Sequence, residues 1–196
     1  MTKTVEFFYD FTSPTAYLAW AKLPAIIERT GAKLVYRPIF LGGVMQATGN
    51  RPPITVPQKG KWMADDMQRW AKKHGTPYAM NPHFPMLTLM VQRAAQEWVT
   101  RPDFEKYVAA IFNAAWRDSK NIADKAVLTE VLTTAGFSPE EFFAAAENPA
   151  NKEKLKANTD EAVARGVFGA PTFFVGDEMH FGQDRLDFVE DALMRA

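Results

Sequence analysis

Two segments at opposite ends of the chain contain the residues with the clearest chemical potential. In residues 5–20, an apolar run ends at Thr12-Ser13-Pro14 and passes into an amphipathic stretch. Ser13 fits a helix N-cap and Pro14 the first helical position, because a serine hydroxyl accepts a backbone N–H and proline loses no helical bond there. A ligand anion or thiolate beside Ser13 would face the open N–H groups of that first turn.

The second segment is a proline-started hairpin within residues 166–182. Ala170-Pro171 precedes a short β-type run, a turn at Gly176 and a second short run. This hairpin, together with the N-terminal strand-turn-helix, is typical of a thioredoxin-like fold. In that fold the helix start and the loop before a cis proline face one site, where the backbone at Ala170 can bind an extended peptide.

The chain contains no cysteine, so no side chain can form a thiolate or a disulfide. Dithiol redox chemistry is therefore excluded, and any thiol must arrive with a ligand. Ser13 can donate its O–H to such a thiolate. The rival role, a covalent nucleophile, lacks a Gly-x-Ser-x-Gly elbow or a motif that ties a histidine to Ser13. We assign Ser13 as the thiolate stabiliser.

Hydrophobic periodicity and turn residues predict the elements that position these segments. Residues 40–57 have the composition of a loop, and the last helix has Asp184 as its candidate N-cap. The predicted strands are 5–10, 33–38, 172–175 and 179–181. The predicted helices are 14–29 (closed by Gly31), 59–74, 86–99, 102–116, 123–135, 138–146, 151–165 and 184–195.

The order and spacing of several short motifs resemble those of the 2-hydroxychromene-2-carboxylate isomerases and the kappa-class glutathione transferases. The likeness runs almost end to end. It is carried by Asp10-Phe11-Thr12-Ser13-Pro14, Tyr17-Leu18-Ala19, Gly49-Asn50-Arg51-Pro52-Pro53, Lys59-Gly60, Asp65-Asp66, Phe84-Pro85, Phe168-Gly169-Ala170-Pro171-Thr172-Phe173 and Phe181-Gly182-Gln183-Asp184-Arg185.

The resemblance implies an α/β, DsbA-like thioredoxin fold with a large all-helical insertion. Residues 1–58 and 159–196 would form a discontinuous thioredoxin-like domain, and residues 59–158 the inserted helical domain. The resemblance also implies a homodimer.

The resemblance further implies glutathione as the cofactor. Ala170 and Pro171 would meet its peptide backbone, while Gln183 and Asp184, at the start of the last helix, would meet its γ-glutamyl end. Three more side chains match family positions that reach glutathione, and the first two do so from the insertion: Asn50, Lys59 and Asp66. Lys59 would pair with the glycine carboxylate.

The second substrate implied by the family is a small aromatic carboxylate that lies over the thiol. Aromatic side chains that could form its apolar wall are Phe11, Trp62 and Phe84. Its carboxylate could meet Arg93 or His83. The sequence departs from the family at Leu87, where an asparagine is common, so the identity of the substrate stays open.

If the chain is an isomerase, the resemblance implies a mechanism in three steps. A thiolate adds reversibly to the ring-opened chromene, the bond made single rotates, and elimination gives trans-o-hydroxybenzylidenepyruvate. A first alternative is a kappa-class transferase or peroxidase, which uses the same thiolate but consumes it. A second alternative, from another class, is a cysteine-less thioredoxin-like module that binds peptides at the Pro171 edge without catalysis.

The composition limits the classes of partner that we expect for this chain. The 196 residues include 23 Lys and Arg and 23 Asp and Glu, so net charge gives no bulk attraction for nucleic acid or an anionic membrane. The sequence shows neither a signal-peptide pattern nor a run of about 20 apolar residues, and we expect a cytoplasmic protein. No His/Asp/Glu set has metal-ligand spacing, so no metal is expected.

Overall fold

A computed structural model of the chain describes residues 3–195 and contains one mixed sheet within that range. The sheet has four strands in the order β2-β1-β3-β4. Strand β1 pairs parallel with β2 and antiparallel with β3, and β4 forms a hairpin with β3. The strands are β1 (Thr4–Tyr9), β2 (Lys33–Pro38), β3 (Thr172–Val175) and β4 (Glu178–Phe181).

The central strand β1 is apolar because helices cover both sides of the sheet. Val5, Phe7, Phe8 and Tyr9 are all fully buried. Phe7 stacks on Phe173 of β3 with ring centroids 5.3 Å apart. The edge strand β4 is largely exposed, and the four predicted strands are confirmed with small shifts in their ends.

Helices make up most of the remaining described chain. They are α1 (Pro14–Trp20), α2 (Leu23–Thr30), α3 (Leu41–Thr48), α4 (Pro57–His74), α5 (Leu89–Trp98), α6 (Phe104–Trp116), α7 (Lys125–Thr134), α8 (Pro139–Glu147), α9 (Pro149–Ala164) and α10 (Leu186–Arg195). Short 3-10 turns cover Pro53–Thr55 and Gln183–Arg185.

The single helix predicted over residues 14–29 is wrong, because the structure has two helices there. Pro24 lies in the first turn of α2, where its ring and missing N–H prevent α1 from continuing. The N–H of Lys22 instead bonds to the Ala19 carbonyl, three residues back, at 2.9 Å. Helix α1 is consequently only seven residues long.

The loop predicted over residues 40–57 is also partly wrong, because α3 lies within it. Leu41 and Val44 are buried, and α3 packs against α9. A side chain at Gly42 would come within 2.9 Å of the Phe40 ring. The two glycines that suggested a loop therefore allow close packing inside a helix, which ends at Gly49 with φ of 71°.

One large buried cluster joins the sheet to the helices between β2 and β3. From α6, the rings of Tyr107 and Phe112 pack against Phe11, with centroids 5.9 and 4.8 Å away. The two units that the sequence predicts thus share a core. The predicted boundary at 158/159 lies inside α9.

Asp10, at the end of β1, joins three elements through a fully buried carboxylate. It accepts the Thr12 N–H at 3.1 Å and the Thr88 hydroxyl at 2.5 Å on one oxygen. The other oxygen accepts the Leu41 N–H, at the start of α3, at 2.9 Å. Burial raises the pKa of Asp10, and the hydrogen bonds oppose that rise.

Replacing Asp10 with asparagine should destabilise the fold. Either orientation of the amide places its NH₂ against a backbone N–H, of Thr12 or of Leu41. We expect Asp10→Asn to lower the free energy of unfolding by about 2–4 kcal/mol in urea denaturation. The control, Asp160→Asn, removes the exposed ion pair with Lys156 and should cost less than about 1 kcal/mol. Equal losses in the two variants would contradict the assignment.

The raised pKa of Asp10 also predicts a pH dependence. The folded protein should bind a proton at Asp10 at higher pH than the unfolded chain, in which this carboxyl has its ordinary pKa of 3.8. The stability of the wild type relative to Asp10→Asn should therefore increase as the pH falls from the raised value towards the ordinary one. Urea denaturation across that pH range measures the difference in free energy of unfolding between the wild type and Asp10→Asn. A difference that becomes smaller on acidification would refute the prediction.

Candidate functional site

Ser13 caps α1 as the sequence predicts, and the residue is 4% exposed. Its oxygen accepts the Ala16 N–H at 3.1 Å, and Pro14 occupies the first turn. The backbone N–H of Ser13 donates to the Asp10 carbonyl at 3.0 Å. The hydroxyl is therefore held in place by the helix start and by the end of β1.

The peptide bond between Ala170 and Pro171 is cis, as predicted, and the structure brings it to Ser13. The Ser13 hydroxyl lies 3.2 Å from the Ala170 carbonyl oxygen. The Thr15 hydroxyl lies 3.1 Å from the same oxygen and 2.8 Å from the Ser13 hydroxyl. Sequence reasoning missed Thr15, although a hydroxyl two residues after an N-cap is a signal that could have drawn attention to it.

The loop before Pro171 is fixed by local contacts. The Thr172 hydroxyl donates to the Gly169 carbonyl at 2.8 Å. A side chain at Gly169 would come within 2.8 Å of the Phe181 ring. The N–H of Gly182 donates to the Pro171 carbonyl at 3.0 Å, which brings the segment after β4 beside the proline.

Gln183 and Asp184 follow in a 3-10 turn that packs against α1. Gln183 is buried, whereas Asp184 is exposed and pairs with Arg185 at 2.7 Å. The prediction that Asp184 caps the last helix is wrong, because Asp184 lies inside the 3-10 turn that precedes α10. Among residues 3–195, its carboxylate bonds to Arg185 rather than to a backbone N–H.

Asn50 lies at the same loop as Ala170. Its side-chain amide donates to the Phe168 carbonyl at 2.7 Å, which ties the segment after α3 to the approach to Pro171. Lys59 and Asp66 lie on α4. Lys59 is exposed, and the Asp66 carboxylate lies 3.6 Å from Arg69. In residues 3–195, neither of these two side chains hydrogen-bonds to Ser13 or Ala170.

The structure places Phe11 in the core rather than on a pocket wall, since its ring is fully buried. Its carbonyl accepts the Trp116 indole N–H at 2.8 Å. The half-buried ring of Phe84 packs on Trp116 with centroids 5.7 Å apart. Trp116 therefore connects Phe84 to the loop of residues 10–13, which we call the Ser13 loop. The Phe84-Pro85 peptide bond is also cis, a geometry that the sequence analysis did not predict.

The remaining candidate substrate residues differ in exposure. Trp62 on α4 is 57% exposed and Leu87 is 62% exposed. His83 is exposed, and its backbone N–H donates to the Asn81 side chain at 2.9 Å. Arg93 is half-buried on α5, with an Nε atom that has no partner among residues 3–195. Leu87 adjoins Thr88, the hydroxyl donor to Asp10.

The partners of the Ser13 hydroxyl favour a hydrogen-bond donor over a covalent nucleophile. They are Ala16, Thr15 and Ala170, and in the described chain none is a histidine or a carboxylate. A serine nucleophile needs such a base within hydrogen-bond reach. The pKa values of His74 and His180 are lowered, mainly by burial, but neither residue bonds to Ser13.

Within residues 3–195, no cluster of three or more His, Asp or Glu side chains could hold a metal ion. No helix in that range is long and apolar enough to cross a membrane.

Comparisons with known proteins agree with this geometry. Residues 4–194 match the family model of the DSBA-like thioredoxin domain. The chain is similar to the 2-hydroxychromene-2-carboxylate isomerase of Sphingobium xenophagum, at 34% identity over 99% of this chain and 100% of that protein. Human glutathione S-transferase kappa 1 is 28% identical, covering 98% of this chain and 92% of that protein.

A solved structure of a 2-hydroxychromene-2-carboxylate isomerase superposes with a TM-score of 0.89 at 29% identity. The match covers 98% of this chain and 95% of that one. The predicted thioredoxin-like fold with a helical insertion is thereby confirmed.

Removing the Ser13 hydroxyl should cost stability without abolishing folding. An N-cap serine replaced by alanine typically costs about 1 kcal/mol. Ser138→Ala is a matched control, because Ser138 caps α8 by accepting the Glu141 N–H at 3.2 Å, far from this site in the sequence. We expect both variants to lose about 0.5–2 kcal/mol in urea denaturation. A loss well beyond that range for Ser13→Ala alone would show that the hydroxyl supports more than the helix start.

Proposed function

The chain belongs to the DsbA-like thioredoxin family, in the group of 2-hydroxychromene-2-carboxylate isomerases and kappa-class glutathione transferases, and from this premise we propose that it is a glutathione-dependent isomerase. The proposed substrate is 2-hydroxychromene-2-carboxylate or a closely related aromatic carboxylate. The proposed product is trans-o-hydroxybenzylidenepyruvate. Relatives at 31–34% identity along nearly the whole chain have this isomerase name.

One observation carries the proposal: the Ser13 hydroxyl lies 3.2 Å from the Ala170 carbonyl, beside a cis proline, in a chain without cysteine. A backbone segment before a cis proline and next to a hydroxyl donor suits a peptide whose central residue carries a thiol. Glutathione is such a peptide. The missing thiol of the protein would be supplied by the cofactor.

In this proposal the Ser13 hydroxyl donates to the cofactor's sulfur, while its oxygen keeps the Ala16 N–H bond. A hydrogen bond to a charged group contributes about 1.5–3 kcal/mol, which lowers a thiol pKa by about one to two units. Helix α1 is short, so we attribute most of the effect to the hydroxyl and little to the helix dipole.

Other residues would hold the ends of the peptide. Ala170 would exchange backbone hydrogen bonds with it, and Gln183 and Asp184 would lie near its γ-glutamyl end. Lys59 makes no ion pair with any residue between 3 and 195, so it is available to a carboxylate. Asn50 would act through the Phe168 carbonyl by fixing the loop, and Asp66 would act through Arg69.

When bound, glutathione supplies a thiolate that adds reversibly to the conjugated substrate, so that the carbon–carbon bond can rotate before the sulfur leaves. The chain's part is to orient the reactants. The aromatic substrate would lie between the Ser13 loop and residues 83–88, which the Asp10–Thr88 bond holds at the end of β1. The buried Phe11 would then support the wall from behind, while Phe84 and Trp62 face the substrate.

The proposal predicts that Ser13→Ala loses thiolate formation and isomerase activity together. Titration with glutathione, followed by the ultraviolet absorbance of the thiolate, should give a bound-thiol pKa at least about one unit higher than in the wild type. The initial rate of isomerisation at neutral pH should fall about 10- to 100-fold. Ser138→Ala, with a comparable loss of stability, should match the wild type in both measurements.

The fate of glutathione separates the alternatives. An isomerase returns all of it, whereas a transferase or peroxidase depletes it in proportion to turnover. Absence of glutathione binding and of any thiol-dependent reaction in the wild type would refute the enzyme proposal. It would favour a peptide-binding module at the Pro171 edge.

A further inference from the structure

Three oxygen atoms meet at the candidate site, but they share only two hydrogen atoms. The hydroxyls of Ser13 and Thr15 lie 2.8 Å apart, and each lies within 3.2 Å of the Ala170 carbonyl oxygen. Each hydroxyl has one hydrogen to donate, and the carbonyl has none. At any moment one of the three oxygen pairs is therefore without a hydrogen between its members.

This shortage matters for Ser13, because its oxygen already accepts the Ala16 N–H and its one hydrogen has three possible acceptors. These acceptors are the Ala170 carbonyl, the Thr15 oxygen and a thiolate placed at the site. Ala170 is 8% exposed, and a buried carbonyl without a hydrogen-bond donor destabilises the folded state. Without a second donor, satisfying the carbonyl would compete with stabilising the thiolate.

We propose that Thr15 is a positioning residue that releases the Ser13 hydrogen for the thiolate. Its hydroxyl donates to the Ala170 carbonyl while Ser13 turns its hydrogen to the sulfur. If the bound peptide supplies an N–H to Ala170 instead, Thr15 donates to the Ser13 oxygen and strengthens Ser13 as a donor. In both states Thr15 acts through Ser13. This inference rests on the proposed function, because it requires a bound thiol.

The position of Thr15 suits this role. It lies in the first turn of α1, two residues after the cap, and is half-buried. A β-branched side chain in a helix has few χ1 rotamers, so its hydroxyl is held towards Ser13 and Ala170 at little entropic cost. The hydroxyl of Thr12, in the loop before α1, makes no hydrogen bond with any residue of the described chain. Thr12 therefore provides a control of the same residue type, three residues from Thr15.

The test compares Thr15→Val, which keeps the shape and removes the hydroxyl, with Thr15→Ser, which keeps the hydroxyl. The pKa of bound glutathione is measured from the ultraviolet thiolate absorbance across a pH series. We expect Thr15→Val to raise this pKa by about half to one unit, which lowers the ratio of thiolate to thiol at a given pH about three- to tenfold. Thr15→Ser and Thr12→Val should both titrate like the wild type.

A double-variant cycle tests whether Thr15 acts through Ser13. In a Ser13→Ala background, Thr15→Val should leave the thiol pKa unchanged, because there is no Ser13 hydrogen to release. If the two pKa shifts add instead, Thr15 contacts the thiolate directly, and the positioning role is refuted.

The outcomes distinguish the two proposals. If the wild type binds glutathione with a lowered thiol pKa, Ser13→Ala raises it and Thr15→Val does not, the role of Thr15 is refuted while the proposed function stands. If Thr15→Ser shifts the pKa as much as Thr15→Val, the methyl group rather than the hydroxyl matters, and the role is again refuted. If the wild type neither binds glutathione nor lowers its thiol pKa, both proposals fall.

Discussion

The buried carboxylate of Asp10 is the interaction on which the geometry of the site depends. It lies where β1 ends, three residues before Ser13, and accepts hydrogen bonds from the Ser13 loop, from α3 and from the start of α5. A buried charge that water does not solvate depends on every hydrogen-bond donor around it. Each donor that is lost leaves an unpaired polar group in the interior. The carboxylate therefore fixes the helical insertion against the loop that presents Ser13.

The absence of cysteine determines what this loop can do. A thioredoxin-like helix start without a thiol keeps its geometry but loses its nucleophile, and what remains is a hydroxyl beside the Ala170 carbonyl. Among residues 3–195 that hydroxyl has no base within hydrogen-bond reach, and its partners are two oxygen atoms and one N–H. Such a site suits the stabilisation of a charge brought by a ligand better than an attack by the protein itself.

The sequence predicted the parts of the site that depend on local signals. Ser13 and Pro14 mark a helix start, and Ala170-Pro171 marks the start of a strand, so both were found. Thr15 was not, because its role depends on a carbonyl 155 residues away in the chain. Likewise, the composition around Gly42 suggested a loop. In the structure Gly42 lies inside α3, where the Phe40 ring packs closely against it.

The prediction of the substrate region was weaker for a related reason. An aromatic residue type records a tendency to be buried, not the surface against which it packs. Phe11 lies in the core because its ring packs against α6, whereas Trp62 is exposed on α4.

Ser13 has an observed role as a helix cap and a proposed role as hydrogen-bond donor to a thiolate, and together they explain why a single hydroxyl is not enough. The cap uses a lone pair of the oxygen, and donation to a thiolate would use the hydrogen, so these two tasks do not compete. The task that competes with thiolate donation is the satisfaction of the buried Ala170 carbonyl. The Ala170 carbonyl and a thiolate together require two donated hydrogens, one more than Ser13 has, and Thr15 is the hydroxyl within reach of both Ser13 and Ala170. The constraint is therefore set by the count of hydrogens, and it follows from the same backbone contact that makes the site suitable for a peptide.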